Sequence, residues 1–459
     1  TMGRRRAAHF KSYVIKTAGI RSFHESSPRR DRTAMFGNLL PFLMFGILLA
    51  AVLSKPLERV QWLSLPVALV VLGFIASEIW VGFGMDTGLR WQVLRDLVFY
   101  LLLPILIFEA AINVDTRSLR RDAVLIGALS VPLLLVAAVL AAGIILYLMG
   151  AALENSWALG LLAGSMICAT DPAMISSVLG RHGGMRRVEH ILEGESLVND
   201  ATTITLFVMI SSLLVMPGAE IAPLAVAGRF ALILLGGAAI GIALGWLLDL
   251  VIAPANDKVL STSATLVLAF SSFWVGEHLL GFSGVVATLT AGLTVARPQR
   301  QHRSEDDIAL ALDSWQILGF CANAMLFSAV GMSITVQMFQ DQWLIMLVAI
   351  AAALVSRAAI VFLGVGPLSY LPGTRKLALP EQNLLVWGGI RGAVAIALAL
   401  SLSVDIPHWY TIQSAVYGVA LFSLVVQTPL VPWLARTKAK TDDASTRHLE
   451  REQAARESR

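Results

Sequence analysis

Thirteen times between Met35 and Leu434 the sequence returns to an apolar stretch of about the length that crosses the hydrocarbon core of a bilayer. The stretches span roughly 36–54, 63–80, 97–113, 122–150, 158–179, 190–216, 221–251, 259–275, 280–297, 313–335, 343–366, 380–404 and 410–434. Lipid offers no partner to a bare peptide N–H or C=O, so such a chain is confined to helices that satisfy their own backbone. Composition agrees: 56% of the 459 residues are hydrophobic and 14% charged, against about 25% charged in soluble domains. The expectation is an all-α polytopic membrane protein with about 13 transmembrane helices. The two cysteines, Cys168 and Cys321, lie in apolar stretches and suggest neither a disulfide framework nor a metal cluster.

Three regions follow: a basic tail over 1–35, a membrane domain over 36–434 and a short charged tail over 435–459. The first is expected to be disordered, as a membrane-surface arm or an extension upstream of Met35, with a transit peptide as a weaker reading. The last is too small for a regulatory or nucleotide-binding domain, which puts the function in the membrane part. Basic residues recur in alternate links: Arg117, Arg120 and Arg121; Arg181, Arg186 and Arg187; Arg297, Arg300 and Arg303; Arg375 and Lys376. The links after stretches four, ten and twelve contain no Lys or Arg. This pattern predicts a cytoplasmic C-terminus. An odd number of spans then puts residue 35 outside, against the charge of the tail, and the short loops are given the greater weight. Arg90 and Arg95 fall on the outer side with no explanation in this scheme.

Inside the apolar stretches stand charges that lipid does not tolerate unpaired. The run Glu193-Gly194-Glu195-Ser196-Leu197-Val198-Asn199-Asp200 opens the sixth. At helical spacing Ser196 and Asp200 share one stripe, with Glu195 and Asn199 on the next. Glu193 also reads as an interfacial acid at a helix start. The fifth stretch contains Thr170-Asp171-Pro172, and proline removes a helix hydrogen bond and restricts the residue before it, so the backbone is expected to open there. Exposed carbonyls and helix ends at that depth suit a cation. Asp171, Asp200, Ser196 and the Thr170 carbonyl are therefore the expected ligands of a monovalent cation, with a proton as its competitor. Glu109, near the end of the third stretch, reads as a cavity-lining carboxylate or as a capping acid paired with an arginine.

The twelfth stretch carries Gly388-Gly389-Ile390-Arg391-Gly392, which predicts a second unwound helix. Arg391 needs a carboxylate, and Glu195 is the expected one. Arg357 is a second arginine within an apolar stretch, with a lipid-facing snorkelling role as its bland reading. Gly281-Phe282-Ser283-Gly284 raises the possibility of an intramembrane serine protease, but no suitably placed histidine accompanies it, and close helix packing is the preferred reading. The interrupted stretches five and twelve stand seven apart. With the seventh as a linker, the two halves become inverted repeats whose discontinuous helices cross, as in alternating-access transporters.

These elements, with Phe108-Glu109-Ala110-Ala111 and Phe282-Ser283-Gly284, occur in order across the membrane domain, and together they resemble the bacterial NhaP-type sodium/proton antiporters. That family forms the electroneutral branch of the monovalent cation/proton antiporter superfamily, to which the animal sodium/hydrogen exchangers also belong. The resemblance implies a homodimer, each protomer with a dimerisation and a core subdomain, in the cell inner membrane or plasma membrane and acting in pH homeostasis. It implies Na+ and H+ as cargo, with Li+ or K+ as further candidates, and no cofactor. Lipids are the expected surroundings and nucleic acid is not an expected partner. By resemblance Asp200 binds cation or proton, Asp171, Ser196 and Thr170 complete the site, Asn199 organises the unwound region, Glu195 pairs with Arg391 and Glu109 holds or gates the site. The Asn199-Asp200 pair marks the electroneutral branch. Thr202-Thr203 departs from the more usual apolar residues and bears on selectivity. The competing readings are K+/H+ exchange at the same site, a cation channel and the serine protease.

Overall fold

The computed structural model describes residues 44–57, 64–83, 91–171, 186–215, 223–252, 258–302, 305–370, 374, 376–431 and 434. The two tails expected over 1–35 and 435–459, Pro172 and the second half of the fifth stretch lie outside the described residues. Every regular element among the described residues is helical. In chain order they are α1 (Met44–Leu57), α2 (Leu65–Gly82), α3 (Leu94–Asn113), α4 (Ala123–Leu153) and α5 (Trp157–Cys168). Then come α6 (Arg186–Val215), α7 (Pro223–Ile252), α8 (Lys258–Leu279), α9 (Gly284–His302) and α10 (Glu305–Ser333). The chain continues with α11 (Val336–Leu368), a helix in two halves, α12a (Leu379–Trp387) and α12b (Ala393–Leu400), and α13 (Trp409–Val431). Each expected apolar stretch overlaps one of these, and among the described residues nine helices are long and apolar enough to cross a membrane.

Local sequence accounts for the irregular places. α4 bends at Val131 (φ −123°, ψ −78°), the residue before Pro132, where the proline ring clashes with a helical predecessor. α3 takes a π turn at Val98–Leu102, just ahead of Pro104, whose missing N–H interrupts the ladder. α5 stops at Cys168 because Ala169 is extended (φ −60°, ψ 135°).

The helices pack as two bundles. α4, α5, α6, α11, α12 and α13 pack chiefly on one another, and α2, α3, α7, α8, α9 and α10 form the second group. The packing repeats at an offset of seven: α2 lies on α10 as α9 lies on α3, and α4 lies on α6 as α11 lies on α13. In the second group α7 presents Gly237, Gly241 and Gly245 to α9, and a side chain at Gly237 or Gly241 would run into the backbone of Ser283 or Ala287. Glycines one turn apart let two helices approach at backbone distance where lipid supplies no hydrophobic drive for association. Gly284 likewise has no room for a side chain beside the Phe273 carbonyl, so the Gly-x-Ser-Gly element is accounted for by packing.

Candidate functional site

Two helices that stop inside a bilayer leave peptide groups that something must satisfy. Here each break satisfies the other. The Asp171 N–H donates to the Ile390 carbonyl (2.8 Å), and the Ala393 N–H, the first of α12b, donates to Asp171 Oδ2 (2.8 Å). Arg391 donates from one terminal nitrogen to the carbonyls of Cys168 (2.5 Å) and Ala169 (3.2 Å). The end of α5 and the break in α12 are therefore in contact. Gly392 is obligatory at that crossing, because a Cβ there would fall on the Asp171 carboxylate. Gly389 is equally constrained, since a Cβ would come within 2.8 Å of Arg357 Nε.

α6 runs beside the crossing and supplies the remaining partners. Ser196 donates to the Thr170 carbonyl (2.5 Å). Asn199 Nδ2 faces the Cys168 carbonyl (3.4 Å) and the Thr170 hydroxyl (3.2 Å). Thr203 donates to Asn199 Oδ1 (2.9 Å). The carbonyls of residues 168, 169 and 170 are thus all engaged, which is what an opened backbone at this depth requires.

Beside the crossing, between the two bundles, lies a cavity of about 210 Å³ whose lining includes Glu109, Asn113, Asp171, Glu193, Asp200 and Asn323. Asp171 is held by the N-terminus of α12b. Asp200 is not similarly held: its Oδ1 is buried without a hydrogen-bond partner. Glu109 accepts from Asn113 one turn along α3 (2.9 Å), and Gly319 of α10 leaves the space that its carboxylate occupies. A polar atom such as Asp200 Oδ1 calls for a proton, a water or a cation from the cavity to complete it.

Similarity to known proteins matches this geometry. The family described as "Sodium/hydrogen exchanger, transmembrane" matches residues 43–437. The chain belongs to that family. It is 28% identical over 388 residues to the low-affinity Na+/H+ antiporter NhaS1 of Synechocystis, covering 82% of this chain and 70% of the relative. It is 30% identical over 337 residues to the Na+/H+ antiporter NhaP of Pseudomonas aeruginosa, covering 71% of this chain and 77% of that one. The fold matches the sodium proton antiporter MjNhaP1 of Methanocaldococcus jannaschii with a TM-score of 0.72 at 20% identity, over 87% of this chain and 98% of the other. The protein is therefore an NhaP-type antiporter, a secondary transporter exchanging a cation for protons.

In this exchanger one expected pairing is corrected. Glu195 is bound not by Arg391 but by Arg357 of α11, through both terminal nitrogens, with Nη2 to Oε2 at 2.8 Å. Arg357 also donates to the Leu385 carbonyl through Nε (3.1 Å) and Nη2 (2.9 Å). At 3% exposed it is an interior residue rather than a snorkelling one. The reason is placement: the Arg357 side chain reaches Glu195 beside the Leu385 carbonyl of α12a, while Arg391 sits within the crossing, where the Cys168 and Ala169 carbonyls claim it. Ser196 and Thr170, expected as direct ligands, are bonded to each other behind the cavity, leaving the Thr170 carbonyl one lone pair. Glu109, Asp171 and Asp200 are brought together on the cavity wall. Thr203, Asn113 and Asn323 were not singled out as site residues from the sequence; Asn113 and Thr203 each stand four residues from a residue that was, a spacing that puts both on one helix face.

The serine-protease reading finds no support in the geometry. Ser283 shares a hydrogen bond with Thr205 (2.7 Å) and accepts the Val286 N–H (3.3 Å), and neither partner is a base.

Proposed function

We propose that the exchanger carries out electroneutral exchange of one Na+ for one H+ by alternating access, with Asp200 as the group that holds either cargo. The observation that carries the reading is the buried, unpartnered Asp200 Oδ1 in a cavity shared with Asp171. Two carboxylates facing one cavity repel unless a cation or a proton stands between them. One pocket then holds sodium or a proton, and not both. Asp171, steadied by the Ala393 N–H, supplies the second carboxylate. Glu109 lines the approach, and the Thr170 carbonyl completes the ligand set from behind.

Alternating access is supported by a second cavity, of about 420 Å³, at the other end of α6. It reaches Ile204 and Thr205 but not Asp200, so about one helical turn, roughly 6 Å, separates the two spaces along α6. The Thr205–Ser283 hydroxyl pair ties α6 to α9 on the wall of this second cavity. The first cavity opens beside Val114 and Glu193, next to the basic links, which makes it the cytoplasmic entrance under the positive-inside rule. The bundle containing α5, α6 and α12 is the moving core, α7 the linker, and the second bundle the dimerisation subdomain of a homodimer in the cell membrane.

Purified protein in liposomes with an imposed pH gradient tests this. Internal pH and membrane potential are followed on addition of sodium, lithium, potassium or choline, with Asp200→Asn as the blank. Sodium-dependent proton movement that ignores membrane potential and is absent from the blank is the expected result. A response to potassium alone moves the cargo to K+, and sustained exchange in Asp200→Asn overturns the assignment.

A further inference from the structure

Hydroxyl residues in helices ordinarily return their proton to the carbonyl one turn back. On α6 Thr202 does so to Val198 (2.9 Å), Thr205 to Ala201 (2.7 Å) and Ser212 to Val208 (2.7 Å). Thr203 departs from its neighbours. Its hydroxyl donates to the side-chain oxygen of Asn199 at 2.9 Å instead.

The two ends of an asparagine amide are almost the same shape and opposite in hydrogen-bonding sense. With Oδ1 occupied by Thr203, the Nδ2 donors face the opened backbone of α5, where they meet the Cys168 carbonyl and the Thr170 hydroxyl. Turned over, the amide would set its oxygen against the Cys168 carbonyl, acceptor to acceptor. Both Asn199 (1% exposed) and Thr203 (0%) are beyond the reach of bulk water that would soften the conflict. The segment so held, Cys168 to Thr170, leads directly into Asp171.

We propose that Thr203 is a positioning residue for exchange: the Cys168 carbonyl sets the sense of the Asn199 amide, and the Thr203 hydroxyl holds its oxygen end and through it the placement of the Thr170–Asp171 backbone. This rests on the site proposed above. It assigns to this hydroxyl a task in cation affinity, with no contact of its own to the cargo.

The test compares Thr203→Val, which keeps the shape and removes the donor, with Thr203→Ser, which restores the donor, in the liposome assay beside wild type and Asp200→Asn. The expected result is an apparent KM for Na+ raised about fivefold or more in Thr203→Val with a displaced pH profile. Thr203→Ser is expected within about twofold of wild type. Thermal midpoints supply a readout free of activity: in an Asn199→Ala background, Thr203→Val should shift the midpoint no further, because its partner is already gone. If Thr203→Val is not recovered folded, Thr203→Cys takes its place as the weak donor of similar size. A wild-type KM and pH profile in the donor-less variant, beside a silent Asp200→Asn, overturns this inference alone. Undiminished exchange in Asp200→Asn overturns the site and the inference together.

Discussion

Glu195 and Arg357 form a two-pronged ion pair in the dry interior of the core bundle, 1% and 3% exposed at their side chains. It joins α6 to α11, and the second arginine of the region, Arg391, is bound instead to the backbone of the other broken helix. The two arginines therefore do different work. One neutralises a carboxylate, and the other stands in for missing peptide N–H groups.

This distinction is measurable. Arg357→Ala leaves Glu195 buried and uncompensated, and a loss of about 3–5 kcal/mol is expected. A double-mutant cycle on thermal or denaturant stability should give Glu195 and Arg357 a coupling of about 2 kcal/mol, and Glu195 and Arg391 less than about 0.5 kcal/mol. Equal couplings would remove the pairing described above.

Gly392→Ala sets a methyl group onto the Asp171 carboxylate. Overpacking of this kind costs about 1–3 kcal/mol, and here the group displaced is at the site itself. The variant should lose exchange activity at a temperature where it remains monodisperse on gel filtration. Full activity would show that Asp171 has freedom that the crossing denies it.

Ser283→Ala removes the bond to the Thr205 hydroxyl and the cap on the Val286 N–H, with a stability loss of about 1–2 kcal/mol. No peptidase activity is expected from either form of the protein in a casein-release assay. A cleavage activity that this substitution abolishes would revive the enzyme reading.

Two cavities at opposite ends of α6 predict opposite accessibility. In a protein freed of Cys168 and Cys321, a cysteine at Ala110, on the wall of the first cavity, should react with an impermeant thiol reagent from the cytoplasmic face. A cysteine at Ser212, on the wall of the second, should react from the other face. Labelling of both from one side would contradict the proposed orientation of the cavities.

The helices were legible in the sequence because each apolar stretch carries its own burial signal, and the two breaks because proline and clustered glycines announce themselves locally. The partner of Glu195 was not. Arg357 and Arg391 are both lone arginines in apolar surroundings, and only the tertiary placement of α11 and α12 relative to Glu195 decides between them. Ser196 and Thr170 illustrate a second limit: oxygen-rich spacing identifies groups that converge, but not the hydrogen bond they make to one another. Thr203 was within reach, since it follows Asn199 by one turn, yet spacing alone cannot say that it favours a side chain over the carbonyl beneath it.

The crossing of α5 and α12 joins residues 222 positions apart, Asp171 and Ala393. During synthesis the opened end of α5 emerges long before any of α12 exists, and each bundle draws helices from both halves of the chain. The carbonyls of Cys168 and Ala169 must wait for Arg391 to arrive. A nascent chain halted before that point carries bare peptide groups where lipid cannot satisfy them, so the contacts that shape the site form only once both halves of the chain are in the membrane.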